Sequence, residues 1–167
     1  MSQPLIVTAT FGADDHACLE GLRRKHFPIE RNQVPVHLTL FHQLPLSLDA
    51  ELRDRLADAA TFAPPRAAIS GIMDLGQGTA FRVASEELEA IRAELAIAFR
   101  GLLTPQDQAG WRPHITVQNK VDRAEAIALQ NALQAGDFPR PLAISGLTSW
   151  RYLGGPWEKV RAYPFRG

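Results

Sequence analysis

Two short segments place a histidine and a threonine one residue apart among apolar neighbours: Val36-His37-Leu38-Thr39-Leu40 and Pro113-His114-Ile115-Thr116-Val117. In an extended chain alternate side chains point the same way, so His37 and Thr39 share one face of a strand, as do His114 and Thr116. Each copy therefore aims an imidazole and a hydroxyl together. Imidazole titrates near neutrality and can take or give a proton at physiological pH. A pair of them suits a reaction in which one activates water and the other protonates a leaving oxygen. The hydroxyls suit the nonbridging oxygens of a phosphate, where negative charge sits throughout the reaction. His37 and His114 are thus the candidate acid and base, and Thr39 and Thr116 the candidate phosphate contacts. Lys120, in alternation with His114, is a further candidate cation for the phosphate.

A single such copy would carry little weight, because a strand histidine or threonine is usually packed or solvated; two matched copies, 77 residues apart, are rarely accidental. The other histidines attract the plainer reading. Alternation puts His42 on the face opposite His37, and His16 and His26 fall within a helix. A zinc site usually recruits a third strong ligand, whereas the two motif faces offer Thr, Phe, Gln and Lys, so no metal is expected. No cofactor is expected, and there is no glycine-rich loop of the nucleoside-triphosphatase type. The one cysteine, Cys18, has no partner for an internal disulfide.

The surrounding elements must hold these faces. A strand over 5–11 leads into a helix over 14–27, with Arg23, Arg24 and Lys25 off its apolar stripe and Pro28 at its end. The first motif occupies a strand over 36–42, and Leu48, Leu52 and Leu56 mark a helix over 48–60. Strands over 67–75 and 79–84 flank Gly76-Gln77-Gly78 as a hairpin. Ser85 caps a helix with Leu88, Ile91, Leu95 and Phe99 on one stripe. Residues 104–110, with Pro105, Asp107 and Gly110, read as a mobile loop entering the second motif strand, 114–120. Asp122 and Glu125 resemble a capping box ahead of a helix with Ala126, Leu129 and Leu133 buried. Strands over 141–153 and 158–165 finish the chain. The order β-α-β-α-β-β followed by α-β-α-β-β reads as a duplication.

A length of 167 residues with 46% hydrophobic composition suffices for one core, so a single domain over 1–167 is expected. Equal numbers of acidic and basic residues give a net charge of zero, which favours a small nucleotide or an RNA terminus over long RNA tracts. No apolar stretch is long enough to span a bilayer, and a lone thiol suits a reducing compartment; a cytoplasmic monomer with no membrane partner is expected. Phe41, Trp111 and Trp157 are candidate stacking partners for a base, set against ordinary core packing.

His37-Leu38-Thr39-Leu40 and His114-Ile115-Thr116-Val117 resemble the paired H-x-T-x motifs of the 2H phosphoesterases, and the stretches 27–45 and 113–121 are similar to bacterial members of the 2'-5' RNA ligase-like branch. The resemblance implies an α+β fold of two intertwined lobes, with antiparallel-rich sheets and outer helices around a central cleft and a pseudo-twofold axis between the motifs. It also implies metal-independent hydrolysis of a 2',3'-cyclic phosphate or related 2'-linked ester, and in some members reversible joining of RNA ends. His37 and His114 become acid and base, and Thr39 and Thr116 phosphate clamps. No arginine follows the first motif, where His42 and Gln43 stand. Lys120, Arg112, Trp157 and Lys159 are then the candidates for gripping substrate, with Gln118 beside His114. The competing reading is a nucleotide- or RNA-end-binding protein of the same fold without turnover.

Overall fold

In a computed structural model the described residues are 3–167. The chain order is β1 (Leu5–Phe11), α1 (Ala13–His26), β2 (Leu38–Leu44), α2 (Asp49–Ala59), β3 (Arg66–Asp74), β4 (Thr79–Ala84), α3 (Glu86–Ala98), α4 (Pro105–Gln108), β5 (His114–Gln118), α5 (Arg123–Gln134), β6 (Arg140–Tyr152) and β7 (Trp157–Pro164). Local chemistry explains the helix ends. Asp14 and Asp15 open α1 while Arg23, Arg24, Lys25 and His26 close it, each sign facing the favourable pole of the helix dipole. The Ser85 hydroxyl accepts the Leu88 N–H at the start of α3.

The strands form one antiparallel sheet in the order β2-β1-β6-β3-β4-β5, with β7 added to β6. The two sheets expected from the sequence are halves of this one. Residues Arg140–Ala143 of β6 pair with β3, whereas Ile144–Arg151 pair with β1, and β7 lies along the other side. One 13-residue strand thus ties both halves together. A single hydrophobic cluster runs through them, from Leu5 and Val7 on β1 to Ile115 and Val117 on β5 and Leu147 on β6.

Each motif strand sits at an end of that order. β2 pairs with β1 and β5 with β4, in both cases antiparallel to the strand that precedes the intervening helix. The units β1-α1-β2 and β4-α3-β5 therefore share one design, in line with the duplicated element order.

Three expectations need correction. The segment 104–110 is not a mobile loop: it contains α4, and Asp107 within it is buried. Asp122 stands at the N-cap of α5 but its carboxylate makes no cap bond, so the capping box does not form. The first motif strand begins at Leu38 rather than Val36, which leaves His37 at its mouth.

Candidate functional site

The two motif histidines are held alike. His37 Nδ1 lies 2.8 Å from the Pro35 carbonyl oxygen, and His114 Nδ1 lies 2.7 Å from that of Arg112. A carbonyl can only accept, so Nδ1 carries the hydrogen in both neutral rings and Nε2 is the proton-accepting nitrogen. In each copy the acceptor is the residue two positions earlier, supplied by the turn into the strand. The motif positions thus define orientation and tautomer as well as face.

A side-chain lattice joins the two strand edges. Trp111, just before β5, donates its indole N–H to the Thr39 carbonyl at 3.0 Å. Arg23 on α1 is buried and donates to the Thr116 carbonyl at 2.9 Å, with its guanidinium 4.1 Å from the Phe27 ring centre. Arg92 on α3 is buried as well; it donates to the Leu40 carbonyl at 3.1 Å and stands 4.4 Å from the Phe41 ring centre. Each motif strand therefore has a backbone carbonyl held by a buried arginine from the other half. Helical spacing puts Arg23 on a solvated face and gives Arg92 no role. The signal that could have found them is an arginine within a stretch whose neighbours are core residues.

A shared irregularity reshapes both strands. In β2 the pairing shifts between Thr8↔Thr39 and Val7↔Phe41, and in β5 between Ala80↔Thr116 and Thr79↔Gln118. One extra residue directly after each motif threonine bulges the strand. As a result Leu40 and Phe41 are both buried, and so are Val117 and Gln118. Strict alternation places Phe41 and Gln118 beside the histidines; both instead face inward. Phe41 is fully buried beneath Arg92, and the Gln118 side-chain oxygen accepts the Thr79 hydroxyl at 2.8 Å.

The other expected contacts divide. Trp157 stands at the site, its ring 4.5 Å from the His37 ring and 5.9 Å from Trp150, whose indole N–H donates to the Thr8 hydroxyl. A cavity of about 170 Å³ beside His37 is lined by Thr8, Thr10, Thr148, Trp150 and Lys159. Trp157 also borders an open groove with Gln33 and Gly155. Trp111 is a brace rather than a free stacking surface. Arg112 is exposed, and its carbonyl is what holds His114. Lys120 lies beyond the end of β5, in the left-handed region at φ 62° and exposed, outside the regular alternation that would set it with His114. Arg82 of β4 lies beside the second motif. It pairs directly with His114, and cross-strand partners project to the same face.

Enclosure lowers the His37 pKa to about 4; its hydrogen bond to the Pro35 carbonyl acts against this, and the charges of Arg23, His42 and His114 add to the lowering. For Asp107 burial alone would raise the carboxyl pKa, but the hydrogen bonds from the His42 side chain and from the backbone N–H groups of His42 and Gln43 outweigh it. Among the described residues no group of three or more His, Cys, Asp or Glu is placed to hold a metal ion, and no helix is long and apolar enough to cross a membrane.

Residues 12–156 match the family described as the 2'-5' RNA ligase superfamily. The chain belongs to that superfamily. A search of curated protein sequences gives no match. Among solved structures, TT0787 of Thermus thermophilus aligns with a TM-score of 0.63 and 18% identity, covering 100% of this chain and 99% of that one. E. coli LigT in complex with 3'-AMP aligns with a TM-score of 0.61 and 19% identity over 100% of both chains. LigT in complex with NADP+ gives 0.55 and 18%, again over 100% of both. At these identities the structural likeness establishes the fold. Membership of the 2'-5' RNA ligase superfamily supports an enzyme of the phosphoesterase type.

Proposed function

We propose that this protein hydrolyses a 2',3'-cyclic phosphate, or a related 2'-linked phosphodiester, on a small nucleotide or an RNA end, by paired-histidine acid–base catalysis that needs no metal. The observation that carries this reading is the matched pair of imidazoles, each with Nδ1–H held by a carbonyl and Nε2 left to exchange a proton. One Nε2 takes a proton from water as its oxygen attacks phosphorus, and the P–O bond to one ribose oxygen breaks. The other histidine, protonated, gives its proton to that leaving oxygen. Thr39 and Thr116 donate to the nonbridging oxygens, and the Arg82 guanidinium faces the growing charge beside His114. With the 5'-hydroxyl of a second RNA end in place of water as the attacking group, and the P–O bond to the 3'-oxygen breaking as that oxygen takes the proton, the same step forms a 2'-5' linkage.

Binding of 3'-AMP and NADP+ by the structurally similar LigT supports a small nucleotide or an RNA terminus as ligand. The Trp157 ring, with one edge on His37 and the other on an open groove, is the surface for a base. The continuous core favours a single domain, and we read the chain as a cytoplasmic monomer. The test is incubation of the chelator-treated protein with a nucleoside 2',3'-cyclic phosphate and with an RNA carrying that end, followed by mass and chromatographic identification of the product. Gain of one water, with a single phosphomonoester isomer formed, is the expected result. No product from folded protein on either substrate overturns the reading.

A further inference from the structure

The bulge after Thr39 has a consequence for His42. Leu40 and Phe41 are both turned inward, so the next residue returns to the face that carries His37 and Thr39. The His42 side chain is accordingly 40% exposed, whereas Asp107 beside it is 1% exposed. Asp107 is built in as an orienter. Its carboxylate accepts the His42 N–H at 2.9 Å, the Gln43 N–H at 3.0 Å and the His42 Nδ1–H at 3.2 Å, while its own carbonyl is held by Arg92 at 2.6 Å. A third imidazole thus has Nδ1 fixed, as in the two motif histidines but against a carboxylate instead of a carbonyl, on a side chain that is partly exposed. The second motif strand bulges at the matching place and brings Asn119 to the corresponding position.

We propose that His42, oriented by Asp107, forms a second anion subsite that takes the phosphoryl group adjacent to the reacting one, so that the preferred substrate is a nucleotide or RNA end bearing a further 5'-phosphate. This rests on the reading of His37 and His114 as the reacting pair. His42 stands three residues beyond Thr39, about 10 Å along an extended strand and less through a bulge, which is the reach of one more nucleotide unit beyond the phosphate between the motif histidines. With a carboxylate at Nδ1, an imidazolium formed against an incoming phosphate has its counter-charge in place, and Nε2–H becomes a charge-assisted donor. The fixed ring loses little freedom on binding.

The experiment is calorimetric titration of the full chain with adenosine 2'-monophosphate and adenosine 2',5'-bisphosphate, in the wild type, His42→Ala and His42→Gln, beside turnover of adenosine 2',3'-cyclic phosphate with and without a 5'-phosphate. The wild type is expected to bind the bisphosphate about tenfold or more tightly than the monophosphate, and His42→Ala to remove most of that difference. His42→Gln, which keeps a donor near the place of Nε2, should retain part of it. Equal wild-type affinity for the two ligands overturns the proposal without any variant, and so does an equal loss for both ligands in His42→Ala. Absence of turnover with the bisphosphate preference intact would sink the catalytic reading and leave this subsite standing.

Discussion

An imidazole whose Nδ1–H is already committed to a carbonyl has one way to gain a proton, and for His37 that way is penalised by its enclosure under Trp157. Its pKa near 4 means that the unfolded chain, with an ordinary histidine value near 6.5, binds more protons in between. Stability therefore rises with pH across that window, and this contribution is lost as pH falls from about 6.5 to about 4. Urea titrations from pH 7 down to 4 should show the midpoint falling less steeply in His37→Gln than in the wild type; parallel curves would show that His37 titrates normally. Residue types and spacing made His37, Thr39, His114 and Thr116 legible from the sequence. Their tautomers were not, because the fixing carbonyls belong to the turns at Pro35 and Arg112, which no periodicity describes.

The motif strands, as elements, depend on side chains that arrive from elsewhere in the chain. Replacing Arg92 with Met leaves the Leu40 and Asp107 carbonyls without their donor in a buried setting, and should cost about 3 kcal/mol by chemical denaturation. Gly78 has a sharper constraint. A Cβ there would meet the backbone oxygen of Gln118 well inside contact distance, so Gly78→Ala must push β5 away from the β3–β4 turn. We expect a loss of about 1–3 kcal/mol together with reduced turnover, since β5 carries His114; unchanged stability would mean that the turn yields instead. Most elements are readable because leucine and isoleucine spacing declares them. The failures of strand alternation share one cause: a bulge changes the parity of a strand without changing its composition, which is why alternation misplaces Phe41 and Gln118 and sets His42 on the face opposite His37. The α4 turn escapes notice for a similar reason, since what orders it is a contact between Asp107 and a strand more than sixty residues earlier in the chain.

Across the whole molecule, β6 links two half-sheets while Trp111, Arg23 and Arg92 clip their far edges together, so the cleft is the seam between the two ends of one sheet. A ligand that bridges the motifs should stabilise the fold as a unit. Adenosine 3'-monophosphate at about a hundred times its dissociation constant should add about 2.7 kcal/mol to unfolding, and the gain should shrink in Thr116→Val. The duplicated order of elements is visible in the sequence, but the sharing of β6 is not, because nothing in a run of thirteen residues marks where its partner changes.

If His37 and His114 act as one proton-exchanging pair, the decisive measurement is kcat/KM on a nucleoside 2',3'-cyclic phosphate in chelator, for the wild type, His37→Ala, His114→Ala and the double variant. Each single variant should lose about a hundredfold or more, and the double variant should be little worse than the poorer single one, as for groups that act as a unit. Single variants that retain wild-type rates, or two losses that simply multiply in the double variant, would contradict the pairing.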